Sequence, residues 1–352
     1  MNHYTAIGIM SGTSLDGTDL ALCHFDEDEG LWTFQIQEAI TIPYTDEWSH
    51  QLREAYGYDG KSLSLLHTSY GHYLGKAVQK FLRQVNARPD LVASHGHTVF
   101  HQPDRRMTLQ IGSGAALAAE TGLPVVCDFR TTDVAKGGQG APLVPIGDQH
   151  LFSSYFYCLN LGGFANISFQ KEGIRIAGDV CPVNFILNAL ASRLGHPHDP
   201  GGDLARSGNE DRELFHALNA LGYYDLQFPK SLGREWVEEN IIPLFNSAGL
   251  SVRDLLRTYT EHIAFQISRM LDQNPGHEMI VTGGGAYNTY LLERIRSLTV
   301  NPLVLPDDTV IQYKEALIFA FLGVLRFRNQ INCLRSATGA SDDSCGGAVY
   351  LP

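Results

Sequence analysis

The sequence has few basic residues: 26 lysines and arginines stand against 38 aspartates and glutamates in a chain of 352 residues, for a formal net charge of −12. Lysine and arginine do not cluster anywhere along it. A nucleic-acid-binding surface carries a basic patch, so this composition argues against a nucleic-acid partner. The length suits two domains, since a single core seldom exceeds about 250–300 residues.

Long apolar runs and paired cysteines are missing as well. The longest apolar candidate, residues 316–325, is far shorter than the roughly 20 residues that cross a bilayer. The first residues have neither the basic nor the apolar region of a signal peptide. The six cysteines contain no C-x-x-C pair, a pattern typical of reduced thiols. We therefore expect a cytoplasmic protein with no membrane segment.

Glycine is present in quantity, and three glycine-rich segments each follow an apolar, β-prone run. They are GIMSGTSLDGTD (residues 8–19), GG (162–163) and GGG (283–285). Backbone N–H groups of such turns can surround a phosphate, and glycine has no Cβ to obstruct it. None matches a P-loop or a Rossmann fingerprint. An ordinary turn is the alternative for each segment alone, but the three together indicate a shared nucleotide site.

The hydrophobic pattern predicts two halves with the same plan. Residues 4–10, 20–25 and 32–41 are expected to form an antiparallel meander, and residues 155–161, 167–170 and 173–177 repeat strand, glycine turn, strand, strand. Helical periodicity covers residues 46–86, 112–122, 182–194, 211–221 and 251–271. This repetition suggests a bilobal architecture with a nucleotide between the lobes.

A segment dense in glycine and proline, residues 131–145, has no hydrophobic periodicity and marks the first expected domain boundary. We expect an N-terminal lobe of residues 1–135 plus about 335–352, and a C-terminal lobe of residues 136–334.

Three aspartates are candidates for chemistry. Asp179 follows a β-prone run and precedes Pro182, which we expect in the first turn of a helix. A carboxylate at that place could act as a general base, and the alternative is a charge that stabilises a helix N-terminus. Asp16 and Asp19 could hold a metal ion or its waters beside a bound phosphate.

The histidines at 95, 97 and 101 form an H-x-H-x₃-H pattern that is compatible with zinc. Strand geometry would place His95 and His97 on one face. No cysteine or further histidine lies at a supporting interval, so contact with a sugar hydroxyl or plain packing is the better hypothesis. His196 and His198 lie in a polar loop with a similarly weak metal signal.

Arg130 and Glu315 are candidates for contact with a small polar ligand. Arg130 follows a short strand, residues 124–128, and Glu315 is expected to open a helix over residues 314–327. An arginine side chain offers a planar fork of donors. A surface ion pair is the alternative for each.

The motifs, in this order, resemble the anhydro-N-acetylmuramic acid kinase family, within the sugar kinase/actin/Hsp70 superfamily. The matching stretches span the chain: GIMSGTSLDGTD (8–19), SHGHT (94–98), LQIG (109–112), DFR (128–130), GGQGAPLVP (137–145), LNLGGFAN (159–166), PKSLGRE (229–235), GGGAYN (283–288) and ATGA (337–340). The resemblance implies an α/β, two-lobed actin-like (ribonuclease H-like) ATPase fold with the active site in the interlobe cleft.

The activity implied by this resemblance belongs to peptidoglycan recycling and amino sugar metabolism. Such kinases convert 1,6-anhydro-N-acetylmuramic acid, ATP and water into N-acetylmuramic acid 6-phosphate and ADP, with Mg²⁺ accompanying the ATP. The substrates are therefore a small-molecule anhydrosugar and ATP, and a homodimer is compatible with the sequence.

The resemblance also implies residue roles. Asp179 resembles the general base that activates water. The first phosphate loop would contain Gly12, Thr13, Ser14, Asp16, Gly17 and Asp19. Gly162 and Gly163 resemble the second phosphate turn, and Gly283, Gly284 and Gly285 resemble the edge of the nucleoside pocket. His97, Arg130 and Glu315 fall where sugar contacts are expected.

One stretch departs from the family pattern. The family shows FDTGPGN around the base, whereas residues 178–184 read GDVCPVN. This change leaves two alternatives open: a kinase of another 1,6-anhydrosugar such as levoglucosan, and a non-catalytic sugar or nucleotide sensor. The histidine pattern leaves open a third, a metal hydrolase.

Overall fold

A computed structural model describes residues 1–12 and 15–352 of the chain. Thr13 and Ser14, both assigned to the first phosphate loop, lie outside the described residues. The chain divides into two compact units, one of Met1–Phe152 with Tyr313–Pro352 and one of Ser153–Gln312. Among the described residues, no helix is both long and apolar enough to cross a membrane.

The strands of the described residues are β1 (Asn2–Ser11), β2 (Gly17–Asp28), β3 (Leu31–Pro43), β4 (Leu91–Ser94), β5 (His97–Gln102), β6 (Met107–Ile111), β7 (Val125–Cys127), β8 (Tyr157–Leu161), β9 (Phe164–Lys171), β10 (Ile174–Pro182), β11 (Met279–Thr282), β12 (Leu303–Val304) and β13 (Ala348–Tyr350). The helices are α1 (Asp46–Glu54), α2 (Gly60–Val85), α3 (Gly114–Thr121), α4 (Thr131–Ala135), α5 (Val144–Leu151), α6 (Asn184–Ser192), α7 (Asp203–Arg206), α8 (Arg212–Asn219), α9 (Arg234–Asn240), α10 (Ile242–Ala248), α11 (Val252–Arg269), α12 (Thr289–Leu298), α13 (Asp308–Phe327) and α14 (Arg335–Thr338).

The two units repeat one sheet topology. The strand order is β13-β7-β4-β1-β2-β3 in the first unit and β10-β9-β8-β11-β12 in the second. In both, the first three strands form an antiparallel meander, and the fourth strand (β4 or β11) pairs in parallel with the first. The fifth strand, β7 or β12, adds in parallel to the fourth. This order, repeated twice, confirms the predicted α/β fold of the ribonuclease H-like class and the shared plan of the two halves.

The core of the first unit follows from the sequence periodicity. Helix α2 buries Leu66, Tyr70, Leu74, Val78 and Phe81, spaced three or four residues apart, against the sheet. The helical run predicted over residues 46–86 is interrupted before α2, because the Asp59 carboxylate accepts hydrogen bonds from the backbone N–H groups of residues 61 and 62 and caps a new helix.

The second unit has its own core, in which α6 and α11 pack on the sheet. Ile186, Leu190, Tyr259 and Ile263 are all buried there. Burial continues along most of α11, which explains why its hydrophobic periodicity was the longest in this half of the sequence.

Elements within residues 91–151 differ most from the prediction. Strands β5 and β6 form a separate hairpin that was not predicted. The segment 131–145, expected to be irregular, contains α4 and the start of α5. Short helices rich in threonine, glycine and proline leave little periodicity to detect, because five to eight residues present fewer than three turns.

The observed division points, 152/153 and 312/313, differ from the expected ones at 135/136 and 334/335. Helix α5 belongs to the first unit because it packs on that unit's sheet: the ring centroid of Phe152, directly after α5, lies 5.2 Å from that of Phe34 in β3. The buried ammonium of Lys314 in α13 also lies 2.7 Å from the Asp148 carboxylate of α5. Contacts between such distant segments are not visible in a local pattern.

Candidate active site

Asp179 lies within strand β10. It pairs with Asn166 of β9, and the register then shifts between Asp179 and Cys181, so that the strand bulges there. A β-bulge bends the strand and changes the direction of a side chain. Helix α6 begins only at Asn184, so Pro182 ends the strand, and the prediction that it lies in a helix is wrong. Pairing of Pro182 with Phe164 extends the strand past the point where helix signals suggested its end.

The segment 223–232 holds Asp179 in place. The Leu232 backbone N–H donates to Asp179 Oδ2 at 2.8 Å, and the Asp179 N–H donates to the Lys230 carbonyl at 2.9 Å. The Tyr223 hydroxyl donates to the Asp179 carbonyl at 2.8 Å. This approach requires glycine at 178, because a Cβ there would lie 2.7 Å from the Lys230 carbonyl oxygen.

The electrostatics of Asp179 suit a base. Burial raises the pKa of its carboxyl from 3.8 to about 6, and the hydrogen bond from Leu232 opposes this rise. The group is therefore ionised at neutral pH but binds a proton far more readily than an ordinary aspartate.

Three of the four residues that depart from the family pattern, Val180, Cys181 and Val183, are buried in the core of the second unit. Val180 is 1 % exposed and Cys181 is fully buried, and both pack in the same cluster as Val183. Burial raises the pKa of the Cys181 thiol far above its usual range, so it stays protonated. The change from the family stretch is thus a change of interior packing beside Asp179.

The turn at Gly162 and Gly163 joins β8 to β9. Its carbonyls face the start of α6: Asn184 N–H donates to the Gly162 carbonyl at 3.2 Å, and Val183 N–H donates to the Gly163 carbonyl at 2.8 Å. Gly163 is exposed, and a Cβ built on it would have no described protein atom within 4 Å. Protein packing therefore does not require glycine at 163, and this side of the turn is open to a ligand.

The three glycines that follow β11 differ from one another. A Cβ on Gly283 would lie 2.6 Å from Asn160 Oδ1, and one on Gly285 would lie 2.6 Å from Leu161 Cβ. Both glycines are therefore required by packing against the end of β8. At Gly284 the nearest atom, Asn184 Nδ2, is 3.7 Å away.

Gly284 borders a cavity of about 410 Å³. That volume falls within the roughly 300–1,000 Å³ that is usual for small-molecule sites. Polar side chains contribute to its wall: Asn184, Asn188, His198, Asp199, Tyr287 and Asn288. The Asp199 carboxylate is held by the backbone N–H groups of Leu204 and Ala205 at 2.8 and 2.9 Å, so its orientation is fixed.

In the first unit, Asp16 lies in the described part of the β1–β2 loop and Asp19 lies near the start of β2. Asp16 is exposed, and Asp19 Oδ1 accepts a hydrogen bond from the Thr41 hydroxyl at 2.6 Å. Burial raises the pKa of Asp19, Thr41 opposes the rise, and the charge of Asp16 adds to it. Gly17 is buried, and a Cβ there would lie 2.6 Å from the Ile42 carbonyl oxygen, so packing on β3 requires it.

Arg130 immediately precedes α4 and is held by two acceptors. Its Nε and Nη2 lie 3.0 and 2.9 Å from His95 Nε2, and its Nη1 donates to the Gly140 carbonyl at 2.5 Å. Burial lowers the pKa of Arg130 to about 10, which leaves the side chain charged at neutral pH. It is not the surface ion pair of the alternative hypothesis.

His95 was not predicted as a partner of Arg130. Burial, with the nearby Arg130 charge, lowers the pKa of His95 well below its usual range, so the ring is neutral and its Nε2 can accept. The two residues lie 35 positions apart in the sequence. Only the placement of both after neighbouring parallel strands, β4 and β7, could have suggested the contact.

The histidine pattern does not form a metal site. Strand β4 ends at Ser94, Gly96 has φ +75°, and β5 begins at His97, so His95 and His97 do not share a strand face. Among the described residues, neither this pattern nor His196 with His198 brings three metal-ligating side chains together. His97 is buried, with a lowered pKa caused by burial, and it hydrogen-bonds to the Leu52 backbone.

Glu315 is the eighth residue of α13, so the prediction that it opens a helix is wrong. Desolvation by the surrounding protein raises the pKa of Glu315, although part of its surface is exposed. The charge of Arg130 lowers this pKa, and that of Asp19 raises it further. The first unit thus couples Arg130, Glu315 and Asp19 electrostatically, and three residues predicted from separate motifs belong to one polar group.

Comparison with known proteins decides the family. The sequence model of the anhydro-N-acetylmuramic acid kinase family matches residues 4–352. Proteins with that name from Shewanella pealeana and Paramagnetospirillum magneticum are 34% and 35% identical to this chain, over 99% of both chains in each case. The chain belongs to the anhydro-N-acetylmuramic acid kinase family.

Membership of the anhydro-N-acetylmuramic acid kinase family makes the chain a phosphotransferase that uses ATP, as the sequence resemblance implied. These relatives do not favour the levoglucosan kinase or the sensor. Among solved structures, the component A of (R)-2-hydroxyglutaryl-CoA dehydratase from Acidaminococcus fermentans covers 91% of this chain and 97% of its own, with 10% identity and a TM-score of 0.47.

Proposed function

We propose that the chain phosphorylates 1,6-anhydro-N-acetylmuramic acid at O6 while water opens the anhydro bridge, giving N-acetylmuramic acid 6-phosphate and ADP. The observation that carries the proposal is Asp179, a fixed carboxylate whose burial raises its pKa to about 6. The relatives with this name support the choice of substrate. Since the reaction consumes ATP, we place it in the cytoplasm.

Asp179 is the general base of the proposed reaction. It takes a proton from a water molecule whose oxygen forms a bond to C1 of the sugar. The C1–O6 bond breaks, O6 forms a bond to the γ-phosphorus, and the bond between that phosphorus and ADP breaks. The hydrogen bond from Leu232 keeps one carboxylate oxygen engaged, which leaves the other free to accept the proton.

The nucleotide is assigned to the glycine segments. The cavity beside Gly284 would take the nucleoside, and the turn at Gly162 and Gly163 would bind phosphate through its open side. In the first unit, the loop over residues 12–19 would bind phosphate through backbone N–H groups.

Mg²⁺ would accompany ATP and neutralise phosphate charge. Asp16 and Asp19 fit this ion, because a nearby cation would oppose the rise in the pKa of Asp19 that burial causes and to which the Asp16 charge adds. We assign them to the ion or to its bound waters.

The sugar is assigned to His97, Arg130 and Glu315. Three of the five N–H donors of Arg130 are engaged by His95 and Gly140, which leaves two for oxygen atoms of the substrate. His95 is a positioning residue, because a neutral ring is needed to accept from Arg130.

A coupled ADP-release assay tests the proposal. The chain should turn over ATP with 1,6-anhydro-N-acetylmuramic acid in the presence of Mg²⁺, and far more slowly with levoglucosan or without sugar. Asp179→Asn should lower turnover by about 10²–10⁴-fold and retain ATP binding, while Asp225→Asn, at an exposed aspartate of the same unit, should leave both unchanged. Undiminished turnover in Asp179→Asn would refute the assignment of the base.

A further inference from the structure

A cluster of potential metal ligands lies near the start of β1 and the end of β2. The potential ligand atoms of His3, His24 and Asp26 lie within 4.8 Å of one another, and this is the one group of its kind that the described residues form. In the β1–β2 register, His3 is directly opposite Asp26, and His24 is two residues from Asp26 on the same face. The pairing of the strands therefore brings the three together.

The side chains already converge on one oxygen atom. Asp26 Oδ1 is hydrogen-bonded to His3 Nδ1 and lies 3.2 Å from His24 Nε2. The two imidazole rings are stacked, with centroids 6.1 Å apart and planes at 20°. Two ring nitrogens and a carboxylate oxygen thus lie close enough together to share one ligand.

We propose that His3, His24 and Asp26 bind a divalent transition-metal ion of the zinc class. Zinc-class ions readily take two imidazoles and one carboxylate as ligands, whereas Mg²⁺ and Ca²⁺ prefer oxygen ligands. The ion replaces the hydrogen bonds between the rings and Asp26, and water completes its coordination. The hydroxyl of Thr5, 3.2 Å from His24 Nδ1, orients the second nitrogen of that ring, as partners of metal-bound histidines do.

The site is accessible and separate from the proposed kinase residues. The side chains of His3, His24 and Asp26 are 58%, 31% and 34% exposed. Gly12 directly follows β1 and is nine positions after His3, a distance of about 30 Å along the strand at roughly 3.3 Å per residue. The ion therefore links the start of β1 to the end of β2. It stabilises the folded chain and takes no part in the proposed reaction.

Titration of the untagged, metal-free full chain with Zn²⁺ tests this inference by calorimetry, with Co²⁺ as a spectroscopic probe of coordination. We expect one saturable Zn²⁺ per chain, a rise in Tm of about 2–5 °C when Zn²⁺ saturates the site, and unchanged kinase turnover. His24→Gln and Asp26→Asn should each lose the binding and the rise in Tm. His216→Gln, at an exposed histidine of the other unit, should retain both.

Binding that persists in both His24→Gln and Asp26→Asn would overturn the inference, as would the absence of saturable binding to the wild-type chain. Circular dichroism of the variants without metal establishes that they are folded. The Co²⁺ spectrum of the wild-type chain provides a test that needs no variant: bands of nitrogen-and-oxygen coordination at one equivalent support the site, and their absence contradicts it.

Discussion

The turns that follow the fourth strand of each unit both contain a glycine with positive φ, but their other residues differ. After β4 the chain reads His95-Gly96-His97, and after β11 it reads Gly283-Gly284-Gly285. Gly96 and Gly283 have φ values of +75° and +81°, and each lies against backbone that a Cβ would strike. The topology requires one glycine at each turn, and the neighbouring residues decide what that turn can bind.

In the first unit, the neutral ring of His95, which belongs to this turn, accepts hydrogen bonds from the charged Arg130. We propose that Arg130, held in this way, binds the polar sugar. In the second unit, Gly284 leaves room for a cavity of about 410 Å³. Under the proposed function, one topology used twice would thus bind two different ligands in a single chain.

The largest expected effect concerns Asp179, the proposed general base in the second unit. Because Asp179 must be ionised to act and its pKa is about 6, kcat/KM should fall tenfold per pH unit below pH 6, as a rate profile would show. Asp179→Asn should lower kcat by about 10²–10⁴-fold and remove this acidic limb. A variant that kept the limb would assign it to another group.

Arg130→Leu should weaken only the sugar binding that is proposed for the first unit. Loss of a charged hydrogen-bonding group weakens binding by about 1.5–3 kcal/mol, so kcat/KM for the anhydrosugar should fall roughly 10- to 150-fold while the KM for ATP stays unchanged. Steady-state kinetics with each substrate varied measure this. Arg105→Leu, at an exposed arginine of the same unit, is the control, and an equal loss there would contradict the assignment.

Two neighbouring glycines separate packing from binding in the second unit. Gly283→Ala should lower the free energy of unfolding by about 2–4 kcal/mol, because of its positive φ and its contact with Asn160. Gly284→Ala should leave stability nearly unchanged. Denaturant unfolding distinguishes them, and equal destabilisation by both changes would show that Gly284 is also a packing residue.

The smallest expected effect is a gain of stability. Asp179 has a folded-state pKa of about 6 against 3.8 as its ordinary value, so at neutral pH its ionised form disfavours folding. Asp179→Asn should therefore raise the free energy of unfolding by about 1–3 kcal/mol at pH 7. The gain should vanish below pH 3.8, where the carboxyl is protonated in both states. Destabilisation at pH 7 would contradict the raised pKa.

Much of the sheet topology could be predicted, because apolar strands separated by glycine turns leave a local signal. The meander β1–β3 and its counterpart in β8–β10 are examples. The different roles of Gly283 and Gly284 could not be predicted, since they depend on Asn160 and Leu161, more than a hundred residues away. The contact of Arg130 with His95 could not be predicted for the same reason, because the two residues are far apart in the sequence.

Local signals also misled where tertiary pairing was stronger. Pro182 carries a helix-start signal, yet pairing with Phe164 keeps it in β10. Glu315 was expected at the start of a helix, but α13 begins seven residues earlier, at Asp308. The residues that matter for Asp179, from Tyr223 to Leu232, come from another part of the chain.

The measurement that tests the division of binding between the units most directly is the pair of KM values, for ATP and for the anhydrosugar, in His95→Leu and Gly284→Ala. We expect His95→Leu to raise only the KM for the anhydrosugar, by about tenfold, and Gly284→Ala to raise only the KM for ATP. A rise of both KM values in each variant, with Tm unchanged, would contradict the account.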